Sequence, residues 1–229
     1  MCSGPNGRIS RVPAISKQCR APSGAHRRRE DVTVFHLLRH GEPSVFGRIN
    51  GRLPGVGLSA KGRAEIAAVA GRLAEEKIDA IYASPLQRTR ETAEILADRL
   101  ALPVQYREDV IEIDYGEWTG LTFDKIRQDE RWQMWARSRS IAAVPGGESW
   151  HRVQERVVGA LFDLRQAHPE GSVVVVSHGD VIRAGLLFAL GMPLDFHSRI
   201  EVGLASLSSF RLDGSGIRVL ALNDRPRPH

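Results

Sequence analysis

Two histidines in this chain occupy equivalent positions, from which both could act on one bound group. His40 follows an apolar run at residues 33–38, and His178 follows another at residues 172–176. Such continuous runs indicate parallel strands buried on both faces, and open parallel sheets bind ligands beyond the carboxyl ends of their strands. Each histidine precedes a glycine, which lets the backbone approach a ligand closely. A lone histidine after a strand is most often structural, but this matched pair indicates a shared functional crevice.

Two arginines predict that the group bound in this crevice is an anion. Arg39 adjoins His40, and a guanidinium offers five fixed donors that suit phosphate oxygens. Ser84 and Pro85 have the signature of an N-cap and a first helical residue, which places Arg88 at the end of the first turn. A cation there opposes the helix dipole at a cost of up to about 1 kcal/mol, unless an anion occupies the helix end. Without an anion, Arg39 would form a surface salt bridge and Arg88 would extend into solvent.

Three acidic residues in one loop are candidates for a proton donor. Glu112, Asp114 and Glu117 lie in the segment EIDYGEW, within an irregular, polar stretch at residues 107–121. Nothing in the residue types or their spacing selects one of them. By that reasoning alone, all three carboxylates are expected to be exposed to solvent.

Strands that alternate with helices predict the scaffold for these side chains. Ser59 can cap a helix with an apolar stripe, and further helices are predicted after Ser84 and at residues 122–139, 153–164 and about 180–190. Short strands are predicted near residues 79–83 and 104–106, with a terminal hairpin near 205–212 and 217–222. The alternation predicts an α/β fold: a three-layer α/β/α sandwich with a mostly parallel central sheet and an antiparallel edge.

The formal charge of +5 is concentrated at the amino terminus. Residues 1–30 hold seven of the 32 basic residues and one of the 27 acidic residues, a net charge of +6, so the remaining chain carries −1. A near-neutral body argues against a nucleic-acid partner. Composition predicts a disordered basic tail over residues 1–30 and a single folded domain over residues 31–229.

The amino-terminal segment also bears on cellular location. Cys2 and Cys19 both lie in it and cannot staple the core, which favours a reducing compartment. No run approaches the roughly 18 apolar residues that cross a bilayer, and the segment lacks the apolar region of a secretory signal. The expected location is the cytoplasm without membrane association, although an Arg-rich, acid-poor segment also fits an organelle transit peptide.

Four short motifs carry a resemblance to a known family. They are residues 38–42 (LRHGE), Ser84-Pro85-x-x-Arg88, Glu112 at the head of residues 112–117, and residues 177–179 (SHG), in this order. Together they closely resemble the histidine phosphatase superfamily, in its phosphoglycerate-mutase-like branch. The resemblance covers about residues 32–222 and implies an α/β/α fold with one pocket above the sheet.

The resemblance also implies roles for individual residues. His40 matches the nucleophile and Glu112 the acid/base, while Arg39, Arg88 and His178 match the residues that hold the phosphoryl oxygens. The expected substrate is a small phosphate ester, and neither a metal nor another cofactor is implied. We expect further substrate contacts from a second set of residues: Gly179, Asn50 and Arg52.

The assignment of Asn50 and Arg52 compensates for a departure from the family pattern. The family often places Thr and then Asn shortly after its Arg-His-Gly-Glu run, and this chain has Pro43 and Phe46 there. Asn50 and Arg52 follow a few residues later in a glycine-rich loop, from which they could substitute. The departure concerns substrate contacts more than the core mechanism.

Three other functions remain open at this point. A phosphoglycerate mutase is the first, although mutases of the family carry a longer insert after the acid/base loop. The second is a catalytically inactive phospho-ligand sensor, and the third is a nucleic-acid binder acting through the basic tail.

The segment around Trp132 and Trp135 predicts a lid or wall over the pocket, or a helix packed on the body. The physiological substrate and the oligomeric state are not predicted.

Overall fold

A six-stranded sheet organises the chain, and the computed structural model describes residue 1 and residues 31–225 of it. The prediction of a disordered tail falls outside the described residues, and so do residues 226–229. The strands are β1 (Thr33–Arg39), β2 (Ala80–Ala83), β3 (Val104–Tyr106), β4 (Ser172–Ser177), β5 (Leu207–Asp213) and β6 (Gly216–Asp224). The α-helices are α1 (Ala60–Leu73), α2 (Gln87–Leu100), α3 (Phe123–Ile126), α4 (Glu130–Arg137), α5 (Trp150–Ala167) and α6 (Gly179–Ala189).

The strand order confirms the predicted sheet. It runs β3-β2-β4-β1-β5-β6, with the first four strands parallel and β5 and β6 antiparallel at one edge. In the pairing of β1 with β4, Arg39 lies opposite Ser177. The residues that follow these two, His40 and His178, therefore leave the sheet side by side.

Helices cover both faces of the sheet and complete the three predicted layers. Alternate valines of β4 pack into different cores: Val173 and Val175 face α5 and α6, whereas Val174 and Val176 face α1 and α2. Each of these side chains is at most 1% exposed. Full burial of a valine contributes roughly 1.5–3 kcal/mol, so this strand anchors both layers.

The helix caps confirm one sequence prediction and correct another. The Ser59 hydroxyl accepts a hydrogen bond from Gly62 N (3.0 Å) and begins α1, as expected. The prediction that Pro85 is the first residue of α2 is wrong. Leu86 has an extended backbone (φ −69°, ψ 146°) and is the N-cap residue, so the helix begins at Gln87. Arg88 is therefore the second residue of α2. Ser84 does not cap this helix, because its hydroxyl contacts His178 instead.

The segment between β3 and α5 forms a cap beside the carboxyl ends of the strands. The single helix predicted at residues 122–139 is two helices, because Asp129 accepts a hydrogen bond from Arg131 N (2.8 Å) and starts α4 anew. Trp118 and Trp135 are fully buried and pack edge to face, 5.5 Å between ring centroids. The segment is thus anchored to the body by aromatic burial.

No helix in the described part of the chain is long and apolar enough to cross a membrane.

Candidate active site

Three neighbouring strands deliver polar side chains to one point above the sheet. His40 follows β1, His178 follows β4, and Ser84 follows β2, which lies on the other side of β4. The two imidazole rings lie 5.4 Å apart between centroids, and both residues are buried. The sequence expectation that the two histidines meet in one crevice is confirmed.

Arg88 links the two histidines. Its Nε donates to Nε2 of His40 (3.3 Å), and its Nη2 lies 3.1 Å from Nδ1 of His178. Nη2 also donates to the Gly51 carbonyl at 2.8 Å. The side chain is 3% exposed. It therefore does not extend into solvent, which was the alternative left open by the sequence.

These contacts define the protonation of both rings. Nδ1 of His40 lies 2.8 Å from the Gly41 carbonyl, which can only accept, so Nδ1 carries the proton and Nε2 carries the lone pair. Nδ1 of His178 faces an arginine, which can only donate, so its Nε2 donates to the Ser84 hydroxyl at 2.7 Å. Neutral His40 therefore presents a nucleophilic nitrogen beside the Arg88 guanidinium.

Burial and nearby cations keep both histidines neutral. Desolvation, followed by the charges of Arg88 and Arg39, holds the pKa of His40 well below its usual range. Desolvation and Arg88 act in the same direction on the pKa of His178. Both imidazoles are consequently uncharged at neutral pH, as an attacking nitrogen must be.

The two arginines supply unused donors for an anion. Arg39 Nη1 donates to the Val202 carbonyl at 2.7 Å. Arg39 Nε and Arg88 Nη1 are buried and have no hydrogen-bond partner within residues 31–225. A buried guanidinium proton without an acceptor costs on the order of 1–3 kcal/mol. The oxygens of a bound anion would relieve that cost, so this pair of donors fits a phosphoryl group.

Glu112 is the acid that the structure brings to the histidines. Its Oε2 lies 3.8 Å from both Arg88 Nη2 and His178 Nδ1. Burial raises the pKa of Glu112 to about 7, and Asp180 adds to the rise while Arg88 opposes it. A carboxyl group with that pKa can donate and accept a proton near neutrality.

The other two acidic residues of the loop have structural partners. Asp114 accepts a hydrogen bond from Gly116 N at 2.9 Å within the loop. Glu117 forms an exposed ion pair with Arg131 at 3.0 Å. The expectation that all three carboxylates are exposed is therefore wrong for Glu112, because its loop packs inward over the strand ends.

The glycines beside the histidines have packing roles. A Cβ at Gly41 would lie 2.6 Å from the Gly62 carbonyl of α1, so residue 41 must be glycine for this helix to pack. A Cβ at Gly179 would lie 3.2 Å from Cζ of Arg39, so this glycine leaves room for the guanidinium. A backbone contact from Gly179 to substrate stays a prediction.

Asn50 and Arg52 occupy different surroundings. Asn50 lines the cleft above the histidines, where its Nδ2 donates to the Val45 carbonyl at 2.9 Å. Arg52 does not line that cleft: its Nε donates to the Glu112 carbonyl (2.8 Å) and its Nη2 to Glu148 (3.1 Å). The structure thus brings Asn50 to the site and places Arg52 behind the Glu112 loop.

The cleft that opens from the histidines has a volume of about 470 Å³ and both apolar and polar lining residues. Trp132 of the cap is among the apolar ones, so the cap forms a wall, one of the roles left open by the sequence. The apolar lining consists of Pro43, Ile49, Phe123, Trp132 and Trp135. The polar lining residues that the sequence did not predict are Arg48, Tyr115, Asp180 and Arg183. Two of these residues lie close in the sequence to predicted site residues and could have been found in that way: Tyr115 follows Glu112 by three residues, and Asp180 follows His178 by two. Arg139 also lines the cleft, and it is one of the arginines near Trp132 and Trp135 whose charge suits a second anion.

The residues that the structure describes contain no group of three or more His, Cys, Asp or Glu side chains arranged to hold a metal ion. The acidic residue at the site, Glu112, lies instead among cations and imidazoles.

The site thus combines two buried histidines and two arginines at the strand ends of an α/β/α sandwich. Residues 35–225 match the family described as histidine phosphatase superfamily (branch 1). The chain belongs to this superfamily. The resemblance first indicated by four short motifs is thereby confirmed.

Individual relatives agree with the family. The chain is 33% identical over 193 residues to phosphoserine phosphatase 1 of Hydrogenobacter thermophilus, covering 82% of this chain and 86% of the relative. It is 38% identical over 200 residues to a bifunctional protein of Mycobacterium tuberculosis, but spans only 54% of that protein's length. A solved complex of phosphoserine phosphatase from Entamoeba histolytica with phosphoserine has a TM-score of 0.76 at 25% identity, covering 84% of this chain and 97% of that one.

Proposed function

We propose that this protein is a metal-independent phosphatase that hydrolyses small phosphomonoesters through a phosphohistidine intermediate. The observation that carries the proposal is the protonation of His40. Its Nδ1–H is fixed on the Gly41 carbonyl, which leaves the lone pair on Nε2. That lone pair accepts a long hydrogen bond from Arg88 Nε (3.3 Å), and it becomes available for attack when the oxygens of a bound phosphoryl group take over the Arg88 donors. A site that only bound a phosphate would need the two guanidiniums but not this nitrogen or an acid.

In the first step, His40 takes the phosphoryl group from the ester. The Nε2 lone pair forms a bond to phosphorus while the bond from phosphorus to the leaving oxygen breaks. Glu112 transfers its proton to that oxygen, so the product leaves as an alcohol. The unused Nε–H of Arg39 and Nη1–H of Arg88 stabilise the charge on the phosphoryl oxygens, and such preorganised donors are a major source of catalysis.

In the second step, water removes the phosphoryl group. Glu112 is now ionised and accepts a proton from the attacking water as oxygen bonds to phosphorus and the phosphorus–nitrogen bond breaks. Inorganic phosphate leaves, and His40 and Glu112 return to their starting states. A pKa of about 7 for Glu112 serves both steps, because neither its acid nor its base form is rare near neutral pH.

Trapping of the phosphoenzyme tests the proposal. We expect radiolabelled phosphoserine, the compound bound in the Entamoeba histolytica complex, to transfer label to the wild-type protein, and the label to survive an alkaline quench. His40→Ala should lose both labelling and phosphate release by at least about 10³-fold, in line with loss of a nucleophile. His151→Ala is the matched control, because His151 is exposed and binds only the Ser140 carbonyl. Normal labelling of the His40→Ala protein would show that the nucleophile lies elsewhere.

The same preparation tests two of the three alternatives, the mutase and the inactive sensor. A phosphoglycerate mutase would convert 3-phosphoglycerate into its 2-isomer with little phosphate release, whereas a phosphatase releases phosphate. An inactive sensor would bind the ester and release nothing, even from an aryl phosphate.

A further inference from the structure

The leaving group of a bound ester must lie on the Glu112 side of the cleft. Glu112 protonates the departing oxygen in the proposed mechanism, so that oxygen lies next to its carboxyl group. Tyr115 and Asp180 line the cleft on this side, and the charge of Asp180 contributes to the raised pKa of Glu112. What lines the cleft here therefore determines which leaving groups are accepted.

A buried cluster centred on Asp180 forms this part of the wall. Oδ2 of Asp180 accepts from the Tyr115 hydroxyl at 2.7 Å and from Arg139 Nη1 at 3.2 Å, while Oδ1 accepts from Arg183 Nη1 at 2.6 Å. Burial opposes ionisation of Asp180, but Arg139, Arg183 and Tyr115 together lower its pKa to about 2. The carboxylate is therefore ionised, and two arginines against one aspartate leave the cluster with a net charge of +1.

Arg139 holds an unused donor in this cluster. The residue is 8% exposed, and its Nε has no hydrogen-bond partner anywhere in residues 31–225. Its guanidinium carbon lies 3.5 Å from the centroid of Trp135 and 4.6 Å from that of Trp150. The two indoles and Asp180 fix the orientation of the guanidinium, and the residue lines the cleft. A side chain fixed in this way loses little freedom when it binds an acceptor.

We propose that Arg139, held by Asp180 and supported by Arg183, forms a second anion subsite that binds a carboxylate on the leaving group of the substrate. This inference rests on the proposed phosphatase activity and names its substrate class: phosphomonoesters of small hydroxy acids, including hydroxy amino acids. A carboxylate supplies both the negative charge that offsets the cluster and an acceptor oxygen for the Arg139 donor. Trp132 lines the same cleft and offers an apolar surface to the carbon chain of the ester.

Two pairs of esters isolate the contribution of a carboxylate. Phosphoserine differs from phosphoethanolamine, and 3-phosphoglycerate from glycerol 3-phosphate, chiefly by this group. We expect wild-type kcat/KM to be about 10–100-fold higher for the carboxylate-bearing member of each pair, the range given by one charge-assisted hydrogen bond.

Substitution of Arg139 should remove that preference selectively. In Arg139→Gln, kcat/KM should fall about 10–100-fold for phosphoserine and 3-phosphoglycerate, and less than about threefold for their two partners. Arg139→Lys keeps the charge but loses the planar donor set, so it should retain part of the preference. Arg131→Gln is the matched control, because Arg131 is an exposed arginine of the same cap that pairs with Asp129 and Glu117.

The outcomes distinguish failure of the subsite from failure of the function. If 4-nitrophenyl phosphate is not hydrolysed by the wild-type protein, the proposed phosphatase activity fails and the inference fails with it. If this ester is hydrolysed but Arg139→Gln slows both members of each pair equally, the activity stands and the carboxylate subsite is refuted. An equal loss in Arg139→Gln that Arg139→Lys restores for all four esters would assign Arg139 to the scaffold and also refute the subsite.

Discussion

His40 and Glu112 have complementary protonation states because one environment acts on both. The same burial that keeps the imidazole of His40 neutral also favours the protonated form of the Glu112 carboxyl. Arg88 adds to the first effect and opposes the second. The resting site therefore contains a neutral imidazole and, below a pH of about 7, a protonated carboxyl group, the combination that the proposed phosphoryl transfer to His40 requires.

The pKa of Glu112 predicts how the reaction depends on pH. For alkyl phosphates, kcat/KM should fall about tenfold per pH unit above pH 7, because the ionised carboxyl cannot protonate the leaving oxygen. For 4-nitrophenyl phosphate, whose leaving group needs little protonation, the same limb should be much flatter. Glu112→Gln should slow the alkyl esters by about 10²–10⁴-fold and the aryl ester far less. Parallel pH profiles for the two kinds of ester would remove Glu112 from the role of acid, and Glu117→Gln is the matched control.

The same pKa shift predicts a cost in stability. The pKa of Glu112 in the folded state, about 7, lies above its ordinary value of 4.5, so the folded state binds the proton more tightly. The contribution of that proton to the free energy of unfolding is fully present below pH 4.5 and is lost as the pH rises through about 7. Glu112→Gln should therefore raise the free energy of unfolding at pH 8 by on the order of 3 kcal/mol, and change it little at pH 4. Urea titrations at the two pH values measure this, and an equal difference at both would contradict it.

Some of these side chains could be assigned from residue types and others could not. His40 and His178 follow strands that their own apolar runs predict, so their meeting follows from the sheet. Glu112 could not be separated from Asp114 and Glu117 by residue type, because its burial depends on how one loop packs over distant strand ends. Asp180 belongs to none of the four motifs, and Arg139 could not be separated from the other arginines of residues 122–139 by residue type.

The loop that carries Glu112 is held by a network centred on Glu148. Glu148 Oε2 accepts from Arg52 Nη2 (3.1 Å) and from Asp114 N (3.3 Å), while Oε1 accepts from Arg156 Nε (2.8 Å). Arg52 in turn donates to the Glu112 carbonyl at 2.8 Å. Arg52, predicted from the sequence to contact substrate, thus occupies a position from which it orients the acid.

Removal of the Glu148 charge should disturb the acid more than the phosphate pocket. In Glu148→Gln, kcat for alkyl phosphates should fall about tenfold or more, while KM and the rate with 4-nitrophenyl phosphate change little, since Arg39 and Arg88 are untouched. Stability should fall by about 1–3 kcal/mol, discounted for the partial exposure of Arg52. Steady-state kinetics with both esters and thermal melts measure these effects.

The control for Glu148→Gln is Glu155→Gln, an exposed glutamate of α5. Equal slowing of alkyl and aryl esters in Glu148→Gln would assign Glu148 a purely structural role.

The boundaries of local elements were harder to predict than their existence. Ser84 was expected to cap α2, because its type and the following proline fit a helix start. The structure uses its hydroxyl to bind His178, and α2 begins at Gln87. A local pattern cannot reveal this, because the competing partner lies 94 residues away. The alternation of strands and helices, by contrast, is a repeated signal, and it predicted the three layers. The pattern of a terminal hairpin predicted the antiparallel edge.

Charge separates the amino-terminal segment from the catalytic body. Residues 1–30 carry a net charge of +6, whereas the rest of the chain carries −1. The family match starts at residue 35, and the first strand starts at Thr33. Among the described residues, those that line the cleft begin at Arg39. We therefore expect catalysis not to depend on residues 1–30.

Deletion of residues 1–30 should leave catalysis intact and change only the electrostatics of the whole protein. We expect kcat/KM for phosphoserine and 4-nitrophenyl phosphate to stay within about twofold in 0.1 M salt, because the described residues that line the cleft begin at Arg39 and salt at that concentration weakens long-range charge effects. The deletion lowers the net charge from +5 to −1, so the protein should lose retention on a cation-exchange column at neutral pH. The two assays use the same preparations, with the full-length chain as control. A large loss of kcat/KM that persists at high salt would show that the segment contributes directly to the pocket, because screening would have removed a purely electrostatic effect.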